Sequence, residues 1–101
     1  MILNFSAYWN NRNNAPFINE SIPAINLDNT TLAAFIRGEI VNYHPTAVYA
    51  DADIHSVWSS SGRNHTRILN LPASMFLESI QNESPKQLSI VIERDCSYAK
   101  C

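Results

Sequence analysis

Six side chains in the middle of the chain have types and spacing that could do chemistry: Tyr49, Asp51, Asp53, His55, His65 and Arg67. The first four recur at every second position. Successive side chains on a strand point to opposite faces, so these four would share one face. Asp51-x-Asp53-x-His55 then offers three metal-ligating groups, which His65 could join. Alternate positions on a strand stand about 6–7 Å apart, which is wide for one ion. His55 and His65 could serve as the general acid and base that such catalysis needs, and Arg67 would hold a phosphate. That is the chemistry of a small metal-independent ribonuclease. Against it, two carboxylates beside a phosphate would repel it. A second use of the cluster is contact with another protein, anchored by Tyr49 and Arg67, because Tyr and Arg are enriched where binding energy concentrates. The simplest use is solvation, since exposed ion pairs are worth about 0–1 kcal/mol each. No phosphate loop, serine elbow, H-E-x-x-H or C-x-x-C motif accompanies the cluster, so neither a cofactor nor a metal is expected.

The element that must position these residues is a hairpin spanning Thr46 to Leu71. Val48, Ala50, Ala52, Ile54, Ser56 and Trp58 form one apolar face of its first strand, and the intervening residues, ending at Val57, form a mostly polar one. The segment Ser59-Ser60-Ser61-Gly62-Arg63 carries turn chemistry, with Gly62 able to take a positive φ. A loop of Ser60, Ser61 and Gly62 sets Ser59 opposite Arg63. The same register sets Ile54 opposite Ile68 and His55 opposite Arg67, with Asp53 on the diagonal. A slip of one residue would lose the Ile54/Ile68 match.

The rest of the chain must hold this hairpin. Ile2 to Trp9 alternates and is rich in aromatic and branched residues, which predicts a strand. Asn10 to Asn14 is a turn, because Asn tolerates left-handed backbone. Phe17 to Asn19 can pair back as a short edge strand between Pro16 and Pro23, and Glu20 to Leu27 reads as loop. Asp28 is the expected N-cap of a helix carrying Leu32, Phe35, Ile36 and Ile40 on one side, with Gly38 as its stop. Pro72 opens a second helix bearing Ala73, Phe76, Leu77 and Ile80. Gln87 to Arg94 is the last strand, with Leu88, Ile90 and Ile92 inward. Trp9 and Trp58 read as core residues. Residues 1–95 thus form one α+β domain and 96–101 a tail that holds both cysteines, Cys96 and Cys101. The expected fold is a two-layer sandwich, an antiparallel sheet of four to five strands with two helices on one face. Leaving out the short edge strand, its order is β-α-β-β-α-β, the ferredoxin-like order.

The chain is 46% hydrophobic over 101 residues, enough for one buried core. Only 16% is charged, so the polar surface rests on Asn, Ser and Thr. Net charge is −2 with a pI near 5.8, and the seven basic residues are scattered, which argues against nucleic acid as a partner. No apolar run reaches a membrane-spanning length, and the N-terminus has neither the basic nor the apolar region of a signal peptide. A cytoplasmic protein with no membrane partner is expected. This profile predicts a small non-enzymatic protein that binds another protein, such as a toxin or a nuclease, in the manner of an immunity, antitoxin or anti-defence inhibitor. Tyr49, Asp51, Asp53, His55, His65 and Arg67 would form the contact surface. The alternatives are the ribonuclease built on His55, His65 and Arg67, and a regulatory module that dimerises through sheet edges.

Overall fold

The computed structural model describes residues 2–23, 30–46 and 49–93. The elements run β1 (Ile2–Trp9), β2 (Ile18–Pro23), α1 (Leu32–Tyr43), β3 (Ile54–Trp58), α2 (Ala73–Ser79) and β4 (Gln87–Ile92). The strands form one sheet in the order β2-β1-β4-β3. The two-layer α+β architecture is the expected one, with four strands and both helices over one face. The sheet itself is mixed: β1–β2 and β3–β4 are antiparallel, whereas the central pair β1–β4 is parallel.

The chain order is therefore β-β-α-β-α-β, which corrects the ferredoxin-like reading. Two segments exchange roles. Glu20 to Pro23, expected as loop, continues β2, which pairs with β1 from Ala7/Ile18 to Ile2/Pro23. Pro23 sits at the end of this edge strand, where its missing N–H costs nothing. Asn64 to Leu71, expected as a strand, forms only a bridge at Trp58/Asn64 and then a 3₁₀ turn over Thr66–Ile68.

The hairpin register holds only at the turn. Ser59 N–H donates to the Arg63 carbonyl at 3.1 Å and His65 N–H to the Val57 carbonyl at 2.8 Å, while Gly62 takes its positive φ of 83°. Side chains then end the ladder. Asn64 Oδ1 accepts from Thr66 N–H at 2.9 Å, and Thr66 Oγ1 accepts from Val57 N–H at 3.1 Å, so a hydroxyl replaces the next backbone partner. His55 is consequently not opposite Arg67.

The first half of the expected strand also fails. Asp51–Asp53 is a 3₁₀ turn in which the Asp53 carboxylate accepts from Ala50 N–H at 2.8 Å. Asp competes for local backbone donors and is depleted in strands. Val48, which would have begun that strand, lies outside the described residues.

A bulge at His55 shifts the register of β3 against β4, so that Ile54 pairs with Ile92 but Ser56 with Val91. One extra residue inverts the two-residue period. Ile54 and Val57 both face the helices and are buried, whereas Ser56 and Trp58 face the other way. Trp58, expected in the core, is thus on the open face.

The core lies between sheet and helices. Leu3, Phe5, Leu88, Ile90, Ile92 and Ile36 are fully buried in it. α1 begins at Leu32 with Thr31 as N-cap, its Oγ1 accepting from Ala34 N–H at 3.2 Å. The expected cap, Asp28, lies outside the described residues, as do Cys96 and Cys101. The two helix starts satisfy one another. Leu32 and Ala33 N–H donate to the carbonyls of Leu71 and Leu69, and Ala73 N–H donates to that of Thr30. An antiparallel bridge at Thr31/Pro72 holds this exchange, so otherwise unpaired helical donors find backbone partners.

Gly38 does not stop α1, which continues to Tyr43. A Cβ at Gly38 would meet nothing within 4 Å. Gly38→Ala should therefore stabilise the protein by about 0.5–1 kcal/mol in urea unfolding, and destabilisation would contradict this helical environment. Thr66→Val should cost about 1–3 kcal/mol in the same assay, because it strands the buried Val57 N–H.

Candidate functional site

The six candidate residues do not form one cluster. Tyr49 is 8% exposed and belongs to the core, with the Arg37 guanidinium 4.8 Å over its ring. Burial pushes its hydroxyl up to about 12, with Arg37 opposing and Asp51 adding to the shift. Asp51 forms an exposed ion pair with Arg37 at 2.6 Å, and Asp53 caps its own turn. His55 sits on the bulge, with Nε2 3.5 Å from Glu93. Arg67 is exposed on the 3₁₀ turn. His65 is 6% exposed and lies under α2, edge-on to Phe76 at 5.0 Å. The premise of a shared polar face fails because the 3₁₀ turns at 51–53 and 66–68 and the bulge each break the strand period. His55 and His65 are also separated in role, one on the surface and one in the core. Among the described residues no group of three His, Cys, Asp or Glu could hold a metal ion.

His65 anchors a buried network. Ser79 Oγ donates its single hydrogen to the Phe76 carbonyl at 2.7 Å. Ser79 Oγ also lies 3.4 Å from His65 Nδ1. On the other side of the ring His65 Nε2 lies 3.1 Å from Ser59 Oγ, and the imidazole tautomer sets the donor in each contact. Ser59 Oγ donates to Glu83 Oε2 at 3.2 Å. Ser60 Oγ and Ser61 N–H donate to Glu83 Oε1 at 3.2 Å each. A serine hydroxyl beside a histidine nitrogen has the spacing of nucleophile and base. Here Ser59 is 4% exposed and the histidine is covered by Phe76, so the pair ties the 59–63 turn to the end of α2.

The face of the sheet away from the helices has a different character. Strand register sets three rows across it: Ser21, Asn4, Gln87; then Asn19, Ser6, Ser89, Trp58; then Tyr8, Val91, Ser56. None of these side chains is charged. They bond to one another: Ser21 Oγ donates to Asn4 Oδ1 at 3.0 Å, Gln87 Nε2 to Ser89 Oγ at 2.8 Å, and Trp58 Nε1 to Ser56 Oγ at 2.7 Å. Arg12 reaches onto this face from the Asn10–Asn14 turn, where Asn10 takes a left-handed φ of 63°. Its guanidinium lies 4.2 Å over the Trp58 ring. Two shallow depressions, about 300 and 350 Å³, flank this stack, and Arg12 and Asn13 line both. His55 lines the first, and Tyr8 and Ser89 line the second.

Of the expected contact residues only His55 borders this face. Arg12, Trp58 and Tyr8 were not among the candidates. A signal for the face did exist in the alternation of Asn4, Ser6 and Tyr8 along the first strand. No protein-family model, curated protein or solved structure matches this chain.

The buried network makes a prediction for acid stability. Burial, then the Arg63 charge, holds His65 below its ordinary value of 6.5, with Glu83 opposing. Burial would raise Glu83, but the Ser61 N–H and the serine hydroxyls outweigh it and hold the carboxyl below 4.5. Groups depressed by folding bind fewer protons in the folded state. Their contribution is full above the unfolded pKa and is lost as pH falls through the folded one. Urea stability should thus decline below about pH 6.5 and again below about 4.5. His65→Gln should flatten the first decline; an unchanged slope in that variant would assign it to another group.

Proposed function

We propose that the protein is a non-enzymatic binding protein that covers a partner protein with the open face of its sheet. The observation that carries this reading is the composition of that face: Ser, Asn, Gln and Tyr rows, with Trp58 and Arg12 at one side. Surfaces evolved to grip proteins favour this set. Tyr and Trp give large rigid contact area at low entropy cost, and Ser and Asn adapt their hydrogen bonds to the partner. Trp and Arg also dominate binding hot spots. Trp58 is already held by Ser56 and Arg12, which reduces the cost of ordering it on binding. The finer reading is occlusion of a partner enzyme, as immunity and antitoxin proteins do.

A nuclease target is less well supported, because Asp51, Asp53 and Glu20 do not stand in the three polar rows. The ribonuclease reading loses support too, since His65 lies under α2. No described helix is long and apolar enough to cross a membrane, and a protein partner suits the face.

The test is co-purification with the products of neighbouring genes, followed by sizing of the complex. Trp58→Ala and Tyr8→Ala should each weaken a stoichiometric complex by more than about 1 kcal/mol. Val41→Ala, on the exposed side of α1, should leave it unchanged. A complex indifferent to both face variants, or RNA cleavage that depends on His55 and His65, would refute the proposal.

A further inference from the structure

We infer that the Arg12–Trp58 stack is a receptor for a carboxylate, the side chain of an Asp or Glu on the partner protein. This rests on the reading of the open face as a contact surface, and it names the chemistry that face would select.

Arg12 is a cation with no acidic partner among the described residues. Among the described residues the ion pairs are Arg37–Asp51 and Arg63–Glu83, with a His55–Glu93 contact beside them, and Arg12 joins none of these. Its contact is instead the Trp58 ring, with the guanidinium carbon 4.2 Å from the ring centroid. An arginine carries its five N–H donors within the guanidinium plane. A guanidinium packed over a ring makes no hydrogen bond to it and keeps those donors for other partners, and Arg12 lines both depressions. The ring is itself fixed, through Trp58 Nε1–H to Ser56 Oγ. Stacking on an aromatic face leaves the planar fork free to grip a carboxylate with two parallel hydrogen bonds.

Charge decides between anions. The rows around the stack carry no charged side chain, and the neighbouring His55 already faces Glu93. One fixed positive charge matches one carboxylate. A phosphate dianion would lack a second cation. Asn13, which lines both depressions with Arg12, has an amide to offer such a guest. The receptor thus takes one acidic side chain at the rim of an otherwise uncharged contact, which sets register and orientation.

The test uses the full chain labelled with ¹⁵N and probes of defined charge at constant ionic strength. N-acetyl-glutamate N-methylamide supplies one free carboxylate, its glutamine counterpart supplies none, and inorganic phosphate supplies the competing anion. The readouts are the Trp58 indole N–H and the Arg12 Nε–H resonances. Saturable shifts should follow the glutamate compound only. They should be weakened at least about tenfold in Arg12→Gln and less in Arg12→Lys, which keeps the charge but loses the fork. Equal shifts with the glutamine compound, persistence in Arg12→Gln, or no saturable shift up to the solubility limit would overturn the receptor. Tighter binding of phosphate would overturn its assignment to an acidic side chain. None of these outcomes bears on the open face as a whole, which the Trp58 and Tyr8 variants decide separately.

Discussion

The parallel pairing of β1 with β4 is the constraint on which the rest of the structure depends. It joins Asn4 to Gln87 and continues to Trp9 and Ile92, bringing together strands far apart in sequence. Closing so long a loop costs entropy before any contact offsets it. The offset is burial: Leu3, Phe5 and Ala7 meet Leu88, Ile90 and Ile92, and all six are fully buried. Fully burying a large aliphatic or aromatic side chain contributes about 1.5–3 kcal/mol. Two central strands with one such face require a cover, and α1 and α2 supply it together. The backbone exchange between the two helix starts locks them side by side, so neither can shift without exposing donors of the other.

The same central pair explains the open face. Ser6 and Ser89 stand opposite each other in the middle of the sheet and are 4% and 5% exposed. A serine so crowded by neighbours needs a hydrogen-bond partner. Asn19 Oδ1 accepts from Ser6 Oγ, and Gln87 donates to Ser89. A charge in these positions would be desolvated without a counter-ion, whereas small polar groups satisfy one another. Charge is therefore handled elsewhere. Arg37–Asp51 ties α1 to the turn before β3, and Glu83, in the turn after α2, binds the 59–63 turn. The surface left over is polar and uncharged, with Arg12 over the Trp58 ring at its side.

Periodicity made much of this visible. The alternation from Ile2 to Trp9 appears in the structure as a strand, and the helical spacing of Leu32, Ile36 and Ile40 and Leu88, Ile90 and Ile92 in the last strand appear with the expected side inward. The turns at Asn10 to Asn14 and at Gly62 also stand where Asn and Gly tolerance of positive φ places them. The candidate site was much less legible. It assumed one uninterrupted strand through Tyr49 to Val57, and the pattern of odd and even positions cannot register a bulge. Nor can it show that Asp53, Asn64 and Thr66 would spend their side chains on nearby backbone groups. Each of those local hydrogen bonds competes with a ladder bond of similar strength, so propensity alone does not choose between them.

By itself, then, the sequence determined the class of the domain, the extent of its strongly periodic strands and helices, and the apolar side of each. Those follow from side-chain geometry along a single element, which neighbouring residues define. Only the tertiary structure decided that β1 pairs parallel with β4, that Ile18 to Pro23 and not Asn64 to Leu71 supplies the fourth strand, and that Trp58 faces Arg12 and not the core. Those outcomes depend on contacts between residues distant in the chain and on one extra residue in β3. A single such insertion moves every later side chain to the opposite face.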